Sequence, residues 1–239
     1  MKKLTSAKQP ASQTRVPFSL REDATRLFSL MNPVMSSDNG LVIQFIGANP
    51  GEGVSSLARE FAIITSQYVD GHVLLLDLDW GRGHHYEAFQ QGLGGTLGQP
   101  GEAVDLGVDF KHILWQPAAS TDSPMTIHPV GGNLHVSRQR FDLNAAHHVI
   151  NQPRFWQDLR RKIRLTVVDS PPTNRHLDGI VICGMMDAVI LVAAAETTRQ
   201  PVITNLRDQI LTQQAPLVGM VLNKRRFYIP PVIYRWLAI

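Results

Sequence analysis

One cysteine, Cys183, is the whole thiol inventory of this 239-residue chain. An internal disulfide is thereby excluded, and a reducing compartment is expected, with Cys183 acting as a small buried hydrophobe. Aromatic residues are sparse, at 7%, and no aromatic-basic repeat occurs, which weighs against a nucleic-acid platform. Trp115, Phe155 and Trp156 read instead as core or cover. No apolar run reaches the roughly 20 residues of a membrane span. The longest, "GIVICGMMDAVILVAAA" at 179–195, is broken by Asp187 and reads as a buried helix end, a turn and a buried strand. The opening segment begins Met1-Lys2-Lys3 but lacks the apolar stretch of about 7 to 15 residues that a secretory signal needs. Residues 1–18 are therefore expected to be a flexible arm, and the chain cytoplasmic. No internal repeat is visible.

Charge imbalance is also slight, with 23 lysines and arginines against 20 acids. The excess is local, at Lys2-Lys3, Arg138/Arg140, "RRKIR" (160–164) and "KRR" (224–226). Such patches suit acidic lipid, an acidic partner or phosphate, and equally an ordinary solvated surface. Two histidine pairs, His84-His85 and His147-His148, lack a third ligand at suitable spacing, so a histidine metal site is not expected.

What the chain does have is core. A 44% hydrophobic content with 18% charged residues suits one α/β domain, taken as residues 19–225, followed by an aromatic and basic tail at 226–239. "LVIQFIG" (41–47) is a continuous apolar run that stops at a Gly/Pro/Asn cluster, as a buried parallel strand does. From Ser55, apolar side chains at Leu57, Phe61, Ile64 and Tyr68 recur at helical spacing. Further strands are expected at 73–79, "KHILWQ" (111–116), 133–138, 165–172, 188–195 and 217–223. Helices are expected at 152–163 and 199–213. Strand and helix alternate, which predicts a mostly parallel sheet with helices on both faces.

Ligands of such a sheet sit beyond the carboxyl ends of its strands. There the chain places "GANPGEGVSS" (47–56), in which Gly51 and Gly53 let the main chain approach a phosphate and a helix N-terminus follows. Ser55 would offer its hydroxyl to magnesium. Asp77 and Asp79 are expected on one face at the end of the second strand, and Asp169 ends another at "VVDSPP". Three carboxylates and a hydroxyl around one crevice suit a hard, oxygen-liganded ion.

"NPGEGVSS", "LLLDLDWGRG", "VVDSPPTN" and "VGMVLN" together resemble the three Walker-type motifs and the base-side asparagine of the bacterial tyrosine kinases. The resemblance spans roughly residues 20 to 225 and extends to the MinD and ParA type ATPases, a lineage that includes a protein of cellulose secretion. It implies a P-loop NTPase fold and ATP or ADP with Mg2+ as cofactors. It assigns the phosphate loop to Gly51, Glu52, Gly53, Val54, Ser55 and Ser56, with Gly51, Gly53 and the backbone of 54–56 as phosphate contacts. Ser55, Asp79 and Asp169 become metal ligands and Asp77 the catalytic carboxylate. Asn223 is either a base contact or a strand-end turn residue. The implied partner is an inner-membrane polysaccharide co-polymerase that determines chain length, reached as a peripheral protein, with self-association as a further expectation.

Four departures bear on activity. Val54 stands where the family carries the lysine that meets the β and γ phosphates. A charge-assisted hydrogen bond contributes about 1.5 to 3 kcal/mol, so its loss lowers affinity roughly tenfold to a hundredfold. Removing a donor to transition-state charge costs about 10² to 10³ in rate. Binding is thus expected to outlast turnover. The ring-forming Glu-x-x-Arg-x-x-Arg pattern reads Glu22, Thr25, Phe28, without its arginines. The tail has only Tyr228 and Tyr234 in place of a tyrosine cluster, and its aromatic residues suit a membrane interface, a partner groove or packing on the domain. "DWGRG" keeps Arg82 and loses its basic neighbour. These departures predict a pseudokinase-like regulator. A slow kinase or ATPase that uses Arg59 or Arg82, and a MinD or ParA type positioning or cellulose-secretion factor, are the alternatives.

Overall fold

The computed structural model describes residues 18–35, 39–79, 84–113, 123–140 and 152–225. The run at 41–47 forms strand β1 (Leu41–Gly47), buried along its whole length. Its side chains alternate between two cores, as the two-residue period of a strand requires. Val42 and Ile46 enter one core, while Leu41, Ile43 and Phe45 enter the other. β2 (Val73–Asp77), β5 (Leu165–Asp169) and β6 (Ala188–Ala194) are likewise wholly buried, so the middle of the sheet is covered on both faces.

Among the described residues seven strands form one sheet in the order β3-β4-β2-β5-β1-β6-β7, where β3 is Met125–Gly131, β4 Leu134–Gln139 and β7 Leu217–Asn223. All pairings are parallel except β3 with β4. Helices α1 (Phe18–Met35), α2 (Val54–Thr65) and α3 (His84–Gln90) supply side chains to one core. In α1, Leu20, Ala24, Leu27, Phe28 and Met31 fall at helical spacing and make its inner stripe. Helices α4 (Pro153–Lys162), α5 (Asp178–Ile182) and α6 (Gln200–Thr212) supply the other.

The segment 179–195 forms α5, a 3-10 turn (Cys183–Met185) and β6, as its sequence predicts. Asp187, which interrupts it, has a structural use: its Oδ2 accepts the Val42 N–H at 2.7 Å and Arg160 Nε at 2.9 Å. The basic run 160–164 is spent in the same way. Arg160 Nη2 also donates to the Met185 carbonyl, Lys162 to that of Gly107, Arg164 to that of Asn39, and Arg161 pairs with Asp158. Cys183 is buried, and burial pushes its thiol up to about 11. Among the described residues no helix is long and apolar enough to cross a membrane.

Of the strand expected at "KHILWQ", residues 114–116 lie outside the described residues. Its described start is instead a 3-10 turn, Phe110–His112, set by Asp109 Oδ1 accepting the Lys111 N–H. The strand of that region is β3, which contains Pro129. Proline is tolerated there because β3 is an edge strand. Its outer side is covered by coil, with the N–H groups of Gly98, Gly101 and Val104 donating to the carbonyls of Val130, Pro129 and Ile127.

Candidate functional site

The β1–α2 loop is held by its own side chains. Gly51 and Gly53 take φ of +83° and +91°, which a side chain would strain, and α2 starts at Val54 with no side-chain cap. Leu57 is the first residue whose N–H bonds back to Gly53, so the amides of residues 54–56 are left at the loop as an anion-seeking helix start. Glu52 is 2% exposed. Its carboxylate accepts the Asn49 N–H at 3.0 Å, Asn49 Nδ2 at 3.0 Å and the Thr198 hydroxyl at 2.7 Å. Asn223 Nδ2 donates to the Glu52 carbonyl at 2.9 Å.

Gly47 and Gly53 are fitted to these contacts. A Cβ on Gly47 would lie 2.6 Å from Glu52 Oε2 and 2.7 Å from Val54 Cγ2, and one on Gly53 would lie 2.0 Å from Asn223 Nδ2. Val54 is thus a core residue folded back on the end of β1, only 8% exposed. Asn223 braces the loop, so the structure gives it a positioning contact at the place where a base contact was one of two readings.

Beside the loop lies a cavity of about 480 Å³. Residues 49–56 line it, with Arg59, Asp79 and His84, and with Arg175 and Lys224. The expected metal set is split between this cavity and the protein interior. Ser55 and Asp79 reach the cavity. Asp77 and Asp169, paired across β2 and β5, do not line it and are essentially unexposed.

Asp169 Oδ2 hydrogen-bonds His85 Nε2 at 2.9 Å, with the imidazole fully buried. Asp77 Oδ1 accepts the Asp79 N–H at 3.0 Å, while its Oδ2 has no partner. Burial pushes the Asp77 carboxyl up to about 6, against the pull of His85 and with Asp169 adding to the rise. Asp77 and Asp79 follow the alternation that sends Leu76 and Leu78 into the opposite core, and they differ in depth: Asp77 is interior and Asp79 borders the cavity. Among the described residues no trio of acid, histidine or cysteine side chains is arranged to hold a metal. Of the expected magnesium set, Ser55 and Asp79 border the cavity, while Asp77 Oδ2 and Asp169 Oδ1 are buried without hydrogen-bond partners behind it.

Among solved structures the chain is similar to the kinase domain of VpsO, at 20% identity, covering 86% of this chain and 95% of that one with a TM-score of 0.57. The kinase domain of the Escherichia coli tyrosine kinase ETK gives a TM-score of 0.61 at 17% identity, covering 96% and 86%. The fold is that of the P-loop ATPases of the MinD and tyrosine-kinase type. MinD from Pyrococcus horikoshii, solved in complex with Mg-ADP, matches at a TM-score of 0.52 and 11% identity, covering 83% and 77%. No family model and no curated protein matches the sequence.

Within this P-loop fold, three residues of the site carried no usable motif signal. His84 Nε2 lies 3.7 Å from Asp79 Oδ2, and the nearby carboxylate raises its proton affinity against the opposing effect of burial. His85, weighed in the sequence only as a metal ligand, is instead the partner of Asp169. The one available clue is position, since both histidines follow Asp79 within one loop's length. Arg59 stands on α2 four residues beyond Ser55, hence on the same helix face. It is 8% exposed, lines the cavity, and its Nε has no hydrogen-bond partner. Burial pulls its proton affinity down, while the Glu60, Asp169 and Asp77 carboxylates oppose that. Arg82, His147-His148 and the aromatic tail lie outside the described residues.

Proposed function

We propose that this chain is a nucleotide-binding, catalytically idle counterpart of the tyrosine-kinase domains it resembles, serving exopolysaccharide or capsule biosynthesis and export. It acts at the cytoplasmic side of the inner membrane, beside a chain-length regulator. The observation that carries the reading is Val54: an intact phosphate-binding main chain is combined with an apolar, core-packed side chain where the kinases use lysine. Backbone amides and a helix start are enough to hold phosphate. Phosphoryl transfer asks for localised positive charge at the γ-phosphate, which valine cannot give.

The test is incubation of the purified chain with ATP and magnesium, followed by phosphotyrosine detection. No signal is expected. A signal that disappears in Asp77→Ala would overturn the proposal. Deletion of the gene should alter polysaccharide length or yield, and Val54→Lys should not be needed to restore it.

A second reading, slow turnover by a rescued enzyme, is favoured by Arg59 at the cavity wall. ATP hydrolysis that falls at least tenfold in Arg59→Ala supports it, and hydrolysis absent from wild type removes it.

A further inference from the structure

The two edges of the sheet are finished differently. On β3, coil donates to the carbonyls of Ile127, Pro129 and Val130, and Pro129 itself removes a donor. Beyond β7 no strand lies among the described residues. Its sequence, "LVGMVLN", carries neither a charge nor a proline to discourage a neighbour, and from Gly219 to Asn223 its register on β6 is unbroken. Val221 packs toward the core of α1, α2 and α3, so Met220 and Leu222 project on the opposite face. They are 52% and 40% exposed, and Val218 is 48% exposed. An open apolar edge of this kind is a template for one more strand.

The sequence that follows β7 suits that place. The described residues end at Arg225, just past the strand, and Lys224 already turns the chain with φ of +57°. "RRFYIPP" (225–231) then leads to "VIYRWLAI" (232–239), eight residues of β-branched, aromatic and aliphatic type around a single arginine. That length matches the seven residues of β7, and the connection at 224–231 is long enough to return along it. Pro230 and Pro231, which cannot donate to a ladder, fall in the connection rather than in the segment. So short a tether raises the segment's concentration at the edge to about the millimolar range, which favours it over a free partner. Arg235 would supply the charge that β7 lacks as an outermost strand.

We propose that residues 232–239 add to β7 as an antiparallel strand, covering Met220 and Leu222 and closing this edge of the sheet. Asn223 and Lys224 lie at the base of the resulting hairpin, one bracing the Glu52 carbonyl and the other lining the cavity. The seated tail thereby anchors the strand end that steadies the phosphate loop. Hydrogen exchange of the full chain, resolved amide by amide, tests this. Alternate β7 amides face away from β6 and exchange freely at an open edge. They are expected to exchange about tenfold or more slowly than in a chain truncated after Arg225, equally at two protein concentrations, with amides of 232–239 protected alongside them. Tyr234→Pro removes a ladder donor, leaves residues 18–225 unchanged and is expected to reproduce the truncated chain's pattern. It decides the matter where the truncated chain does not fold. Fast exchange of the outward β7 amides in the full chain overturns the proposal, as does protection that survives Tyr234→Pro. Protection that appears only at the higher concentration overturns it in favour of a second copy, and protection of 232–239 only on anionic lipid vesicles overturns it in favour of a membrane surface.

Discussion

Two neighbouring parts of the site are built on opposite terms. In the phosphate loop, side chains turn inward to brace the backbone: Glu52, Asn49, Thr198 and Asn223 satisfy one another and leave the amides of the helix start for a ligand. In the acid pocket behind it, the carboxylates are buried and only half satisfied: Asp169 Oδ2 is on His85 and Asp77 Oδ1 on the Asp79 N–H, while the other oxygen of each has no partner. The first part is braced by complete hydrogen bonding, whereas the second is left incomplete. The loop's geometry does not depend on those acids, so the two parts can be altered separately.

The largest expected effect breaks the acid pocket. His85→Ala leaves the Asp169 carboxylate buried without its partner, and removal of one member of such a buried pair typically costs about 3 to 5 kcal/mol. Denaturant unfolding reads this, and a loss under about 1 kcal/mol would mean that Asp169 finds another donor. Next comes the loop. Glu52→Gln puts an amide where two carboxylate oxygens accept three hydrogen bonds, and should cost about 2 kcal/mol with weaker phosphate binding. Equal loss of stability with unchanged affinity would separate the brace from the site.

Asp77→Asn should go the other way. A carboxyl raised by burial to about 6 takes up a proton in the folded state between pH 4 and 6, so its unfavourable contribution is absent below the unfolded value and complete above about pH 6. Stability falls as pH rises through that window. Asparagine, which still accepts the Asp79 N–H, should therefore stabilise the protein by about 2 kcal/mol at pH 7.5 and by almost nothing near pH 4. Melting curves at the two pH values check this, and an equal gain at both would assign the effect to packing. The smallest effect is at Asn223→Ala, where loss of one hydrogen bond to the Glu52 carbonyl should cost about 1 kcal/mol. Phosphate affinity should fall with it, by about fivefold, if the brace orients the loop.

The sheet was legible in the sequence because a strand buried on both faces must be apolar throughout, and β1, β2, β5 and β6 are. The phosphate loop was legible because only glycine takes its backbone angles freely. β3 was missed because an edge strand can carry Pro129 and His128 in an alternating pattern, which reads locally as loop. In the run 111–116 the described start is a turn that buries Ile113 and leaves Lys111 exposed, because an apolar residue can be buried by a turn as well as by a strand. His85 and Arg59 were undervalued for a common reason. Their meaning depends on which strand ends they face, and that is set by sheet order, which no local pattern encodes.

The brace on Glu52 has a consequence for how the molecule is made. Its partners Thr198 and Asn223 are 146 and 171 residues further along the chain. The loop leaves the ribosome well before these partners, and the fastenings cannot form until β6 and β7 have been synthesised. Contacts of such long sequence separation are late and slow to form. A locked loop is thus a report of late synthesis: a chain stopped before residue 198 carries the entire phosphate motif and cannot brace it.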